Sequence, residues 1–158
     1  MKIKSIFFIA ASLFLTACAT APEQATRYSE TDIGLPDSKQ SVFVIYRQLV
    51  SPVAYSVKAS VNGQPVSTLP NNAFTWFYLE EGSHDIAISW PMLALMPGER
   101  YEVDVKPGNY YFLEFSGEMM VAGGLTLTPY SVSDLSVVNK DDAVQVLKNC
   151  CQFVPSSR

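Results

Sequence analysis

The chain has 158 residues, with 11 Lys and Arg against 15 Asp and Glu, a formal net charge of −4 at pH 7. That length allows one domain of ordinary size plus a tail, able to bury about two-thirds of its unfolded surface without help from metals or disulfides. The acidic balance argues against nucleic acid as a partner and against adhesion to anionic lipid headgroups by charge.

Lys2 and Lys4 form a short basic head, and Ser5 to Leu15 (SIFFIAASLFL) is an apolar run of secretory-signal length, too short for a permanent span. Leu15-Thr16-Ala17-Cys18 follows, with a cysteine where an ordinary cleavage site would end in small residues. The segment resembles the bacterial lipoprotein signal, whose lipobox is matched by these four residues. The resemblance implies cleavage between Ala17 and Cys18, a diacylglyceryl group on the Cys18 sulfur, and an acyl group on the new amino terminus. One acyl chain binds a bilayer only marginally, at ~0.8 kcal/mol per buried methylene, whereas two or three anchor durably. Ala19 stands where an aspartate would retain such a protein in the inner membrane, so the expected location is the outer membrane, lipid-anchored and facing the periplasm. Residues 1–17 are then the signal peptide. The 141 residues left of 158 carry 9 basic and 15 acidic side chains, a net −6.

Residues 18–40 follow as the lipidated cysteine and a polar stretch with two prolines and no lasting periodicity, which predicts a flexible tether of roughly 25 Å reach. From Ser41 the period becomes two. Val42 to Tyr46 (VFVIY) is a continuous apolar run, as in a central strand covered on both faces. Val53 to Val61 alternates, and Asn62-Gly63 then predicts a tight hairpin into Gln64–Leu69. Further strands are predicted at Phe74–Leu79, around Ile86 to Trp90, at Tyr101–Val105 and at Tyr110–Phe115, with weaker patterns at 125–127 and 130–138. Asn139 is a predicted N-cap, with Asp141 and Asp142 in the first turn and Ala143, Val144, Leu147, Cys150 and Cys151 along one helical face. Residues 41–154 therefore read as a mainly β domain, an antiparallel β-sandwich with one C-terminal α-helix. Cys150 and Cys151 are adjacent, and Cα atoms ~3.8 Å apart fall below the usual disulfide range. Buried thiols, or a bond to another chain, are the expectation.

The order of the pieces resembles a bacterial lipoprotein family catalogued as domain of unknown function 2846. These are Tyr46-Arg47, the Val61-x-x hairpin through Asn62-Gly63, Phe77-x-Leu79 with Gly82-x-His84, Pro107-Gly108-x-Tyr110-Tyr111, and Leu147-Lys148-x-Cys150. The hairpin followed by G-x-H is also similar to small PEGA-type, transthyretin-like sandwich modules. The resemblance implies a β-sandwich and carries no catalytic residues, because the family has no established activity.

The chemistry-bearing residues are sparse. Ser83, His84 and Asp85 are the residue types of a hydrolase triad, but neighbours on a strand point to opposite faces and no G-x-S-x-G elbow accompanies them. His84, Cys150 and Cys151 lack metal-ligand spacing. Met92, Met96, Met119 and Met120 offer thioethers to cuprous ion but read as apolar fillers. Glu114 interrupts Tyr110–Phe115, and alternation makes it an outward residue rather than a ligand contact. Gly123-Gly124 reads as a turn or bulge.

No catalytic residue, metal or cofactor is assigned. Two connections are greasy where polarity is expected, Trp90 to Pro97 (WPMLALMP) and Met119 to Ala122 (MMVA). Folding back to cap the sandwich is the favoured reading; if exposed, Trp90, Met92, Leu93, Leu95, Met96, Met119 and Met120 form an interaction surface. The expected function is a non-enzymatic, lipid-anchored envelope lipoprotein presenting its sandwich to an envelope protein. Its partners are membrane lipid through acylated Cys18 and that protein. The alternative is a small-ligand or glycan-binding module using Trp76, Tyr78, Tyr110, Phe112 and Glu114.

Overall fold

Val42–Tyr46 is apolar without a break because it is covered on both sides. In the computed structural model, which describes residues 19–122 and 128–158, this run forms the middle of β1 (Gln40–Arg47). It pairs antiparallel with β4 (Ala73–Glu80) and parallel with β7 (Tyr110–Ala122). β8 (Thr128–Val138) and the short β9 (Gln152–Phe153) complete a five-stranded sheet in the order β8-β7-β1-β4-β9. The second sheet has the order β3-β2-β5-β6, from β2 (Val57–Val61), β3 (Gln64–Leu69), β5 (Gly82–Ser89) and β6 (Glu99–Val105).

Alternation along β1 then builds two cores. Phe43 and Ile45 point into the space between the sheets, against Val57, Ala59, Leu69, Ile86, Leu113 and Phe115. Val42, Val44 and Tyr46 point the other way, toward Phe74, Phe112 and the buried face of α1 (Lys140–Cys150), Ala143 and Leu147. The fold is a mainly β sandwich with a single C-terminal helix. Its five-stranded sheet is mixed, since β7 returns to β1 only after the chain has crossed through the other sheet.

Local signals account for the turns. Asn62 (φ 51°) and Gly63 (φ 75°) both take the positive φ that the β2–β3 hairpin requires. The Asn139 side chain accepts a hydrogen bond from Asp142 N at 3.0 Å, capping α1.

Three expectations change. Val53 to Ser56 lies in a loop, and only Val57–Val61 of the predicted run is strand. Met119–Ala122 is no connection: it belongs to β7, paired along its length with β8. The tether is the largest difference. Residues 19–33 lie along the domain, with Ala21 in the inter-sheet core, bridges Thr20–Asn71 and Arg27–Gln152, and Tyr28 edge-on to Phe74 at 5.4 Å. A few small or apolar residues in a polar segment suffice, because each meets a gap that only the folded sheets create.

Candidate functional site

Six strand termini meet at one end of the sandwich. β1 and β3 finish there, β2 and β4 begin there, and the β5–β6 connection closes it. Three connections there, Gln48–Ser56, Pro70–Asn72 and Trp90–Gly98, contain no charged residue. The opposite end carries Glu80, Glu81, Lys106 and the Lys140-Asp141-Asp142 start of α1.

Two buried polar side chains hold the uncharged end together. Arg47 is fully buried with no carboxylate partner among the described residues; its Nη1 donates to Tyr55 O (2.7 Å) and Leu69 O (3.3 Å), and its Nη2 to Val50 O (3.3 Å). The guanidinium also lies over the Trp90 ring, 4.7 Å from its centroid. Burial lowers its pKa to about 10, so it stays a cation at neutral pH. Asn71, also fully buried, accepts from Val50 N (3.2 Å) and donates from Nδ2 to Val53 O (2.8 Å) and Ala19 O (3.0 Å). Only one amide orientation satisfies all three partners. The backbone adds Ala19 N to Val53 O, Asn71 N to Ala19 O and Ala21 N to Asn71 O. The chain thus enters the domain at its uncharged end.

The greasy β5–β6 connection divides into an inward and an outward half. Trp90 is buried against Phe115 (5.5 Å between ring centroids), and Ala94 and Met96 pack on the inter-sheet core. Trp90 and Met96 therefore leave the predicted interaction surface, because they seal the sandwich end. Met92, Leu93 and Leu95 point outward, 91 %, 80 % and 89 % exposed. A short 3-10 turn at Met92–Ala94 followed by Leu95 in the left-handed region (φ 52°) makes this split. A leucine rarely adopts that conformation, so the outward placement is held at some backbone cost. Leu49 and Val53 add exposed apolar surface to the same end. Met120 is exposed on β7 beside Glu118, whereas the side chain of Met119 lies outside the described residues, as do Ala17, Cys18, Gly123 and Gly124.

The aromatic platform is partly covered, with Tyr78 still exposed. Trp76, Tyr78, Tyr110 and Phe112 share the helix-side face of the five-stranded sheet, but the Gly34 backbone lies across them: its carbonyl accepts from Tyr110 Oη at 3.3 Å. A Cβ on Gly34 would stand 1.8 Å from Tyr78 Oη and 3.2 Å from the Trp76 ring. We expect Gly34→Val to lower stability by about 1–3 kcal/mol and to loosen residues 22–37. Faster tryptic cleavage at Arg27 would register it; unchanged cleavage would show that the covering segment is not held at Gly34.

Glu114 does not point outward to water alone. It accepts from Tyr46 Oη (3.1 Å) and Gln48 Nε2 (2.7 Å) on the helix side of β1 and β7. Burial, followed by the Glu114 charge and hydrogen bond, pushes the Tyr46 hydroxyl pKa well above its ordinary value. The fold thus favours neutral Tyr46, and that stability is intact below about pH 10. Above it the unfolded chain ionises first, and stability should fall by about 1.4 kcal/mol per pH unit. Burial raises the Tyr28 hydroxyl as well, so in unfolding titrations Tyr46→Phe should make the alkaline fall shallower without abolishing it, and an equally steep decline in the variant would exclude Tyr46 as a source.

His84 ties a turn, with Nε2 3.0 Å from Glu80 O and Nδ1 3.1 Å from Asn62 Nδ2. Ser83 donates to Glu102, and Asp85 pairs with Arg100 at 2.9 Å. The three residues have separate partners and do not converge. Cys150 and Cys151 are joined to each other in a disulfide at the end of α1, contrary to the expectation of two thiols or a bond to another chain. Among the described residues no cluster of three His, Cys, Asp or Glu is placed to hold a metal ion, and no helix is long and apolar enough to cross a membrane.

Arg47 and Asn71 were not singled out by sequence reasoning as organisers of this end. The available signal for Arg47 was a charged residue closing an apolar run whose alternation turns it inward. For Asn71 there was only its place in a short turn between two strands. No protein-family model matches the chain, and no curated protein matches it.

Proposed function

We propose that the protein is a non-enzymatic lipoprotein of the outer membrane, anchored by acyl chains on Cys18, that presents its sandwich to another protein of the envelope from the periplasmic side. One observation carries the reading. Ala19, the residue after Cys18, is hydrogen-bonded to Val53 and Asn71 at the uncharged end of the domain. Acyl chains at Cys18 then hold the folded body against the bilayer with no spacer between, and its charged end faces away from the membrane. The Lys2-to-Cys18 pattern supports the anchor, and kinship with the domain of unknown function 2846 lipoproteins belongs to the same proposal.

Intact-mass measurement of the protein from its native envelope tests it. A chain beginning at acylated Cys18 supports the anchor, and one retaining Met1 or lacking acyl groups overturns it. Crosslinking with pull-down of the acylated protein tests the second half, where a reproducible envelope protein in the crosslinked product is the expected result.

A further inference from the structure

The exposed apolar side chains lie where the anchor reading puts the membrane, and the structure offers a reason. Met92, Leu93 and Leu95 project almost fully into solvent from one short loop, with Leu49 and Val53 on the adjoining one. Gly117 lies against both loops: a Cβ there would stand 3.2 Å from Ser51 O and 3.5 Å from the Trp90 ring. Monomers rarely leave bulky apolar side chains this bare without a covering surface.

We infer that the Met92–Leu95 loop, with Leu49 and Val53, is an interfacial wedge that sits in the acyl-headgroup boundary of the bilayer beside the Cys18 anchor. Three features select lipid over a second copy or a protein. The chain outside the described residues joins at this end, and it carries Cys18, the proposed site of acylation. The three connections here carry no charged residue in a chain that is acidic overall, so these loops are neither repelled by anionic headgroups nor dependent on their charge. Met92, Leu93 and Leu95 are almost fully exposed on one short loop, without the partial shelter that a groove gives its lining, and such bare side chains suit a fluid apolar phase. Trp90 and Met96 behind them keep the sandwich closed while the outer residues partition. The wedge would fix the tilt of a body that the anchor alone would leave free to roll.

The inference rests on the anchor for its geometry, and one experiment separates the two. Full-length protein carrying p-benzoylphenylalanine in place of Leu93, or in place of Glu81 at the opposite end, is irradiated in the native envelope. Its adducts and its N-terminus are then read by mass spectrometry. Phospholipid adducts at position 93 should exceed those at 81 by about tenfold and should not change with salt, since no charge is involved. Adding Met92→Ser and Leu95→Ser to the position-93 protein should cut its lipid adducts several-fold. Both side chains are solvent-exposed, so an unchanged circular dichroism spectrum is expected to accompany that loss. Lipid adducts equal at 93 and 81 on a chain with acylated Cys18 overturn the wedge and leave the anchor. Lipid adducts concentrated at 93 on an unacylated chain overturn the anchor and leave the wedge. A protein adduct or a self-adduct dominating at 93 overturns the wedge in favour of a macromolecular partner.

Discussion

Arg47→Leu is expected to destabilise the protein by about 3 kcal/mol, the largest effect of any single substitution proposed. Two contributions oppose each other. Leucine removes a buried cation with no counter-ion, which by itself favours the variant because guanidinium desolvation is costly. Against this, the carbonyls of Val50, Tyr55 and Leu69 lose their donor. They are backbone groups and cannot be removed along with the arginine, as a side-chain partner could. Each buried polar group left without its hydrogen bond costs about 1–3 kcal/mol, toward the low end for carbonyls that keep another partner. The cation–π contact with Trp90 adds of order 1–2 kcal/mol in a desolvated site. The losses outweigh the gain. For a domain of this size, the melting temperature should fall by about 10 °C. Arg47→Lys should recover only part of it, since one ammonium cannot span carbonyls that the planar guanidinium reaches with two nitrogens. A melting temperature for Arg47→Leu within about 2 °C of wild type would mean that the loops are held by packing alone.

Asn71→Ala should cost about 2–3 kcal/mol and release the N-terminal segment from the domain. The side chain serves three backbone groups on two segments, Val50 N, Val53 O and Ala19 O. Truncation leaves the Val50 N–H in the Gln48–Ser56 loop without its acceptor and leaves Val53 O only the Ala19 N–H, and it loosens the chain next to the proposed anchor. Global unfolding reports the energy, and hydrogen exchange reports the place. Ala19 and Ala21 amides, which donate to Val53 O and Asn71 O, should lose protection, whereas the β1–β4 ladder should keep its relative order. Asn71→Asp discriminates further: it keeps an acceptor for Val50 N and loses both donors, so the Ala19 end should loosen while Val50 stays protected. Unchanged protection at Ala19 and Ala21 in both variants would show that the Asn71 side chain does not hold the entry segment. The entry segment would then be held by its backbone hydrogen bonds alone, Ala19 N to Val53 O, Asn71 N to Ala19 O and Ala21 N to Asn71 O.

These two residues separate what a linear reading can reach from what it cannot. Period-two alternation, the Asn62-Gly63 pair and the Asn139-x-x-Asp142 cap are local: each depends on a few neighbours and on backbone geometry, and each is found where the spacing put it. The double-sided burial of β1 was legible for the same reason, since a strand covered on both faces has no polar side to show. The stretch from Val53 misled because its alternation continues past the point where Arg47 draws the Tyr55 carbonyl inward. The β7–β8 pairing beyond Phe115 was hidden because Ser116-Gly117-Glu118 breaks the apolar pattern and Met119–Ala122 is apolar without being central, and apolarity alone does not distinguish a strand from a greasy loop.

Residues 19–33 were the most misleading. Their composition is that of a solvated coil, and nothing within the segment says that Asn71, Phe74 and Gln152 wait for it. The same limit governed the Trp90–Pro97 run. Its composition marked an unusual surface or an unusual cap; both are present, and Leu95 in its left-handed turn decides which side chains do which. Local chemistry along the chain settled the element types and most turns, because those depend on residues close in sequence. The uncharged end, its two buried polar organisers and the outward leucines were settled only by folding, because they arise where segments far apart in the chain must satisfy each other's buried backbone groups.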